Sequence, residues 1–234
     1  MAKRVIIITG AGRGIGRATA EAFGARGDHL VLAARTQADL EATAEAVRAA
    51  GGSATVVPCE MTDEPQVKRL IEAAACITGT IDIVVCNAGT TVVAPFTEIS
   101  LADWEQTLRV TLTGTFLVCK HAVAVMQAGG QIFTLASIAG RSGFPNWSAY
   151  SAAKFGVLGL SEAIRAELRP RNIRVTAVIP GAVDTPLWDA VPGEWDRARM
   201  LRPADVARAI VYAADEPPHV SIDEIVLGHA AGAL

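Results

Sequence analysis

The chain has 234 residues, enough for one large domain with a sizeable core; 51% of them are apolar and only 5% aromatic. A formal net charge of −3 leaves no electrostatic footprint for nucleic acid or for an anionic membrane surface. No run reaches the ~20 apolar residues that a bilayer span needs, so neither nucleic acid nor membrane is expected as a partner.

The start, Met-Ala-Lys-Arg followed by Val5 to Ile8, resembles the opening of a signal peptide. Its apolar run is short and enters a glycine-rich turn at once, so it reads as a first strand, RVIIIT from Arg4. Further strand-like runs follow as HLVLAA from His29, ATVVPC from Ala54, IDIVVC from Ile81 and QIFTLA from Gln131. IRVTAVI from Ile173 and EIVLG from Glu224 complete the set. Helical patterns lie between them. Thr36 precedes Asp39, and Ser100 precedes Asp103, in the spacing of a capping box. Pro203 suits the first turn of PADVARAIVYAAD.

This alternation predicts right-handed crossovers and an α/β fold. Its doubly wound parallel sheet has about seven strands, with helices on both faces. No linker, repeat or low-complexity stretch interrupts it, so residues 1–234 are expected to form one domain. Ligands of such sheets bind beyond the carboxyl ends of the strands. The cysteines (Cys59, Cys76, Cys86, Cys119) show no CxxC spacing and sit among apolar neighbours, as small buried hydrophobes do. A reducing cytoplasm is the expected home. The four histidines are scattered, and no metal site is expected. The apolar share leaves room for a subunit interface, so a homodimer or homotetramer is expected.

The first strand runs into Thr9-Gly10-Ala11-Gly12-Arg13-Gly14-Ile15-Gly16 and then a helix. The spacing is TGxxxGxG, with Gly10, Gly14 and Gly16, rather than GxGxxG. Glycines allow a tight turn and close approach to a pyrophosphate, whose charge a helix N-terminus then holds. An ordinary strand-to-helix glycine turn is the plainer alternative. After the second strand, where an acid would bind a ribose 2′-hydroxyl, the chain reads Ala33-Ala34-Arg35-Thr36. The first acid, Asp39, falls inside the next helix. Arg35, with Arg13 as a second contact, suits a 2′-phosphate, so NADP(H) is expected over NAD(H). Solvated surface arginines are the alternative.

After the fifth strand come Ser137-Ile138-Ala139-Gly140 and then Tyr150-Ser151-Ala152-Ala153-Lys154. Tyr150 and Lys154 are four apart and share one helix face. A free phenol, with pKa near 10, is a poor base at neutral pH. A neighbouring ammonium and an oxidised nicotinamide would lower that value and permit proton exchange with a substrate oxygen. Ser137 can hold the same oxygen by a hydrogen bond.

The ordered set of TGxxxGxG, Asn87-Ala88-Gly89 after the fourth strand, Ser137, the YxxxK pair and Pro180-Gly181 resembles the short-chain dehydrogenase/reductase family over nearly the whole chain. That resemblance implies a Rossmann-like fold and hydride transfer between NADP(H) and a small carbonyl or alcohol. Tyr150 would be the general acid/base and Ser137 the polarising hydroxyl. Lys154 would bind the nicotinamide ribose and help lower the tyrosine pKa. Asn87, with Ala88 and Gly89, would contact the adenosine ribose or the adjacent backbone. Pro180, Gly181, Val183 and Thr185 would line the nicotinamide side, and Glu60 and Met61 the adenine side. Glu60 stands where the family usually has Asp, and Cys86 where it has the first Asn of an NNAG run. Thr111 stands where the family has a catalytic Asn; its hydroxyl is expected to bond back to the carbonyl one turn earlier and loosen the same turn. Its presence also admits a nucleotide-binding sensor or structural subunit, impaired in turnover, on the same fold.

Phe144, Trp147, Trp188 and Trp195 fall where the family's pocket is flanked. They serve either as an apolar wall for substrate or as lid or subunit packing. Arg197, Arg199 and Arg202 read as a solvated helix face, with a carboxylate-binding role as the alternative. The ending lacks the double glycine of many members and resembles the branch acting on hydroxy acids and related small alcohols.

Overall fold

The computed structural model describes residues 3–232. Seven strands form one sheet: β1 (Val5–Thr9), β2 (His29–Ala34), β3 (Ser53–Pro58), β4 (Ile83–Cys86), β5 (Gln131–Leu135), β6 (Arg174–Pro180) and β7 (Glu224–Leu227). All neighbours pair in parallel, in the order β3-β2-β1-β4-β5-β6-β7. Each expected strand lies within two residues of an observed one.

Period-two alternation sends the two faces of each strand into different cores. Val5 and Ile7 join one core with Val67, Leu70 and Ala74 of α3 (Glu64–Thr78) and Leu117 and Val118 of α5 (Gly114–Val123). Ile6 and Ile8 join the other, with Phe23 of α1 (Gly14–Gly24), Leu40 and Val47 of α2 (Gln37–Ala49), and Ile210 of α7 (Pro203–Ala214). Helices therefore cover both faces, and the central strands read as continuous apolar runs because neither face meets water. Burial of each Ile or Leu side chain contributes roughly 1.5–3 kcal/mol.

Local signals set several helix ends. Ser100 caps α4 (Leu101–Leu108), accepting from the Asp103 N–H at 3.0 Å. Pro203 opens α7. Asp63 caps α3, accepting from the Gln66 N–H at 3.0 Å. Two expectations fail. Thr36 occupies the N-cap of α2 without a side-chain bond to it and lines the cleft described below. Cys76 is exposed, since it lies off the stripe of α3 that Val67, Leu70, Ile71 and Ala74 bury.

Between α4 and α5, Arg109–Thr113 forms a π turn. The chain's longest helix, α6 (Ser148–Leu168), crosses it closely at Gly156, where a Cβ would come within 2.6 Å of Leu112 Cδ2. Thr134 of β5 bonds Ser161 of α6 at 2.7 Å, and Ser161 donates onward to the Val157 carbonyl. These contacts seat α6 against the carboxyl half of the sheet. Among the described residues no helix is long and apolar enough to cross a membrane, and no His, Cys, Asp and Glu group is placed to hold a metal.

Candidate active site

Strand order reverses between β1 and β4, so the loops after them diverge and open a crevice at their carboxyl ends. A cavity of about 1000 Å³ occupies it, running from the glycine loop past Asn87 to Ser137, Tyr150 and Lys154.

At one end the chain turns through Gly10 (φ +63°) and Gly14 (φ +56°), a region that L side chains rarely adopt. A Cβ on Gly10 would approach Asn87 Nδ2 to 2.8 Å, and one on Gly16 would collide with the Gly10 carbonyl. Arg13 occupies the N-cap of α1 and provides no side-chain cap. The first-turn N–H groups of α1 thus face the cavity mouth without a side-chain acceptor, which suits an anion. Gly12 has a second reason to lack a side chain: its Cβ would sit 2.8 Å from Asp39 Cβ. Asp39, although inside α2 as expected, therefore reaches the cavity wall beside Arg13 and Arg35. By sequence alone a residue in the next helix need not return to the strand ends. Thr43 brings Asp39 back, bonding the Ala11 carbonyl at 3.1 Å.

Of the residues expected at the cofactor, most line this cavity. Thr9 and Gly16 lie behind it. Thr9 Oγ1 accepts from the N–H groups of Asn87 and Ala88, both at 3.0 Å, and ties β1 to β4. Asn87 Nδ2 donates to the carbonyls of Thr9 (3.0 Å) and Gly10 (3.1 Å). Of the two partners expected for Asn87, its amide takes the adjacent backbone. Glu60 lines the wall, but its Oε1 accepts from the N–H and hydroxyl of Thr62, each at 3.2 Å. Buried Cys86 faces Cys119 with 3.6 Å between sulfurs. That contact, and then burial, push its thiol well up, which suits packing rather than reactivity.

At the other end, Ser137 follows β5 and begins a short 3₁₀ turn, Ile138–Gly140. Its Oγ accepts from the Ala139 N–H at 3.1 Å, leaving its own proton to donate. Gly140 lets this turn touch α6, since a Cβ there would be 2.8 Å from the Lys154 carbonyl. Tyr150 stands in the first turn of α6, with Lys154 one turn on. Lys154 is buried and donates to the Leu135 carbonyl. Its Nζ lies 5.5 Å from the centroid of the Tyr150 ring. Burial pulls the Lys154 pKa down to about 8. Burial also pushes the Tyr150 phenol up, with the Ser137 hydrogen bond acting the other way. The protein's own groups alone therefore do not lower the phenol, because desolvation of the phenolate outweighs its one donor.

Thr111 is buried in the π turn and does not line the cavity. Contrary to expectation, its hydroxyl does not bond back one turn. It accepts from the Thr90 N–H and is in reach of the Thr90 carbonyl, both at 3.3 Å. The bond back to the helix comes instead from Thr115, whose hydroxyl donates to the Thr111 carbonyl at 2.8 Å. The contacts of Thr90, Gly140 and Gly156 join segments far apart in the chain and leave no mark in the local sequence, whereas the Thr115 bond spans a single helical turn. Arg197 also departs from expectation. It lies in a 3₁₀ turn, Arg197–Arg199, and pairs with Asp184 (2.7 Å) and Asp189 (2.9 Å). Arg202 pairs with Asp205, while Arg199 lines the cavity.

The sequence profile of the short chain dehydrogenases matches residues 4–194. A protein named sepiapterin reductase, from Chlorobaculum tepidum, is 36% identical, with 98% of each chain covered. Cis-4-hydroxycyclohexanecarboxylate dehydrogenase from Sinomonas cyclohexanicum is 38% identical over 92% of this chain and 90% of its own. Among solved structures, an alcohol dehydrogenase from the archaeon Thermococcus sibiricus, complexed with 5-hydroxy-NADP, superposes with a TM-score of 0.92 at 26% identity, covering 99% of each chain. With this fold and these matches, the chain belongs to the short-chain dehydrogenase/reductase family of oxidoreductases.

Proposed function

We propose that this protein is an NADP(H)-dependent oxidoreductase of small carbonyl or alcohol substrates, with Tyr150 as general acid/base. The observation that carries the reading is one continuous cavity joining an uncapped, glycine-lined helix N-terminus to Ser137, Tyr150 and Lys154. The residues present fit a dinucleotide: Gly10 and Gly14 turn at positive φ, Gly10 has no room for a Cβ, and the N-terminus of α1 has no side-chain cap. A nicotinamide nucleotide bound there supplies or accepts the hydride.

The chain's own groups handle the proton. In the reductive direction Tyr150 gives its phenolic proton to the substrate oxygen, and Ser137, its hydroxyl oriented by the Ala139 N–H, donates to that same oxygen. Lys154 spends one of its three donors on Leu135 and keeps the others for ribose hydroxyls. Its positive charge favours the phenolate left behind. Arg13 and Arg35 form no ion pair among the described residues, and both border the adenosine end, where a 2′-phosphate would meet them. Asp39 beside them tempers that preference. The nucleotide-bound relative in the Thermococcus structure supports the choice of NADP.

A second reading, a nucleotide-binding sensor with impaired turnover, draws on Thr111, whose carbonyl is already engaged by Thr115. One experiment separates the two: a panel of ketones, aldehydes and alcohols followed by NADPH absorbance, with melting curves in NADP⁺ and NAD⁺. Turnover, together with a larger stabilisation by NADP⁺, is expected. A flat panel with NADPH still bound would favour the sensor, and equal melting shifts would remove the NADP preference.

A further inference from the structure

Beyond Tyr150 three tryptophans line the cavity, together with Phe144, Leu187, Arg199 and His229. Trp147, at the N-cap of α6, meets the Tyr150 ring edge-on, with centroids 5.4 Å apart and planes at 66°. Trp188 stands 5.7 Å from Trp147 at 57°, and Trp195 stands 5.0 Å from Trp188 at 62°. All three are half-buried and line the cavity. A series of steep inter-ring angles leading away from the reactive hydroxyl does not close into a stacked plug. It leaves faces and edges open to a further ring, which aromatic quadrupoles favour. Asp39 and Glu60, the acids that line the cavity, both belong to its adenosine end, so no carboxylate interrupts this wall among the described residues.

Trp188 and Trp195 ride on a segment with little regular structure, and specific contacts hold it. Arg197 Nη1 bonds Asp184 Oδ1 at 2.7 Å and the Thr185 carbonyl at 3.2 Å, while Nη2 bonds Asp189 Oδ1 at 2.9 Å. Asp184 precedes the 3₁₀ turn Pro186–Ala190, and Asp189 lies within it beside Trp188. The base is closed by Asp184 N–H to the Leu201 carbonyl (2.8 Å) and Leu201 N–H to the Ala182 carbonyl (2.9 Å). Trp195 Nε1 donates to the Pro192 carbonyl at 3.2 Å across Gly193, whose φ is +109°. One guanidinium thus fixes the turn that carries the middle ring of the series.

We propose that the substrate end of this cavity selects ring-bearing carbonyls and alcohols over open-chain ones, through Trp188 and Trp195, with Arg197 as the positioning residue. The inference rests on the oxidoreductase reading above and narrows its substrate class. A rigid ring meets preset ring surfaces without freezing rotatable bonds, whereas an open chain loses that freedom on binding. This departs from the small hydroxy acids that the chain's ending suggests.

The test compares cyclohexanone and β-tetralone with open-chain ketones of equal carbon count, using the intact protein and NADPH. Steady-state rates are paired with quenching of tryptophan fluorescence on the NADP⁺-loaded protein, which reads binding without turnover. A preference in kcat/KM of about tenfold or more for the rings is expected. Trp188→Ala should abolish it mainly through KM, and Trp188→Phe should keep most of it. Arg197→Met should raise KM for rings with little change in kcat, and Arg197→Lys should restore part of the loss. Ring-selective quenching without turnover would uphold the inference while overturning the oxidoreductase reading. Turnover with equal kcat/KM for rings and chains would overturn the inference alone. Neither turnover nor quenching would overturn both.

Discussion

Thr115 donates its hydroxyl to the main-chain carbonyl of Thr111 across 2.8 Å, inside the stretch where the helix between β4 and β5 widens into a π turn. The widening moves N–H groups off their usual partners; the Gly114 N–H, for one, reaches back to the Arg109 carbonyl. Leu112 of the same turn packs under Gly156 of α6, two residues beyond Lys154. The π turn and the helix that carries Tyr150 and Lys154 are therefore one packed unit.

Thr111→Asn tests whether that unit tolerates an amide. The carboxamide offers one acceptor and one donor for the Thr90 N–H and carbonyl that Thr111 now serves. The site is buried, so the larger side chain should cost about 1–3 kcal/mol of stability. Turnover should change by less than about tenfold, or ~1.4 kcal/mol in the barrier. A far larger gain would show that the native protein is impaired at this position.

Tyr150→Phe should leave nucleotide binding intact and reduce turnover by orders of magnitude. The ring would still pack edge-on against Trp147, while the proton that Ser137 helps to orient is gone. Paired measurements of NADPH affinity and kcat check this, and retained kcat would remove Tyr150 from the acid/base role.

Replacing Arg35 by Ala together with Ala34→Asp should shift preference towards NAD. The change removes a guanidinium from the adenosine end and adds a carboxylate near Asp39, which together disfavour a 2′-phosphate and favour a 2′-hydroxyl. The ratio of kcat/KM for the two nucleotides is the readout. A wild type that already prefers NAD would refute the reading of this loop.

Burial holds Lys154 near 8 in the folded protein against 10.5 in the unfolded chain. Between those values the unfolded chain binds more protons, so this group makes stability rise as pH rises from about 8 to 10.5. Tyr150, pushed above 10 by burial, acts in the opposite sense above that pH, since there the folded protein binds more protons. Denaturation midpoints without nucleotide should show wild type gaining roughly 1–3 kcal/mol on Lys154→Met across this window, with a constant difference below about pH 7. Parallel curves would mean that Lys154 is not desolvated.

The sequence by itself determined the sheet, because buried parallel strands need uninterrupted apolar runs, and VIIIT or HLVLAA has few other stable uses. It also exposed Gly10, Gly14, Ser137, Tyr150 and Lys154, whose chemistry depends on spacing along one strand end or one helix face. What it could not show was decided by contacts between distant segments. Asp39 reaches the cavity only because Gly12 lets α2 close on the glycine loop. Thr111 turns to Thr90 rather than to its own helix because the π turn brings the loop after β4 within 3.3 Å. The pKa of Tyr150 follows burial, which outweighs the Ser137 hydrogen bond, even with the Lys154 ammonium 5.5 Å from the ring centroid. Such outcomes depend on distances of a few ångströms across the fold, and only the packed tertiary structure determines them.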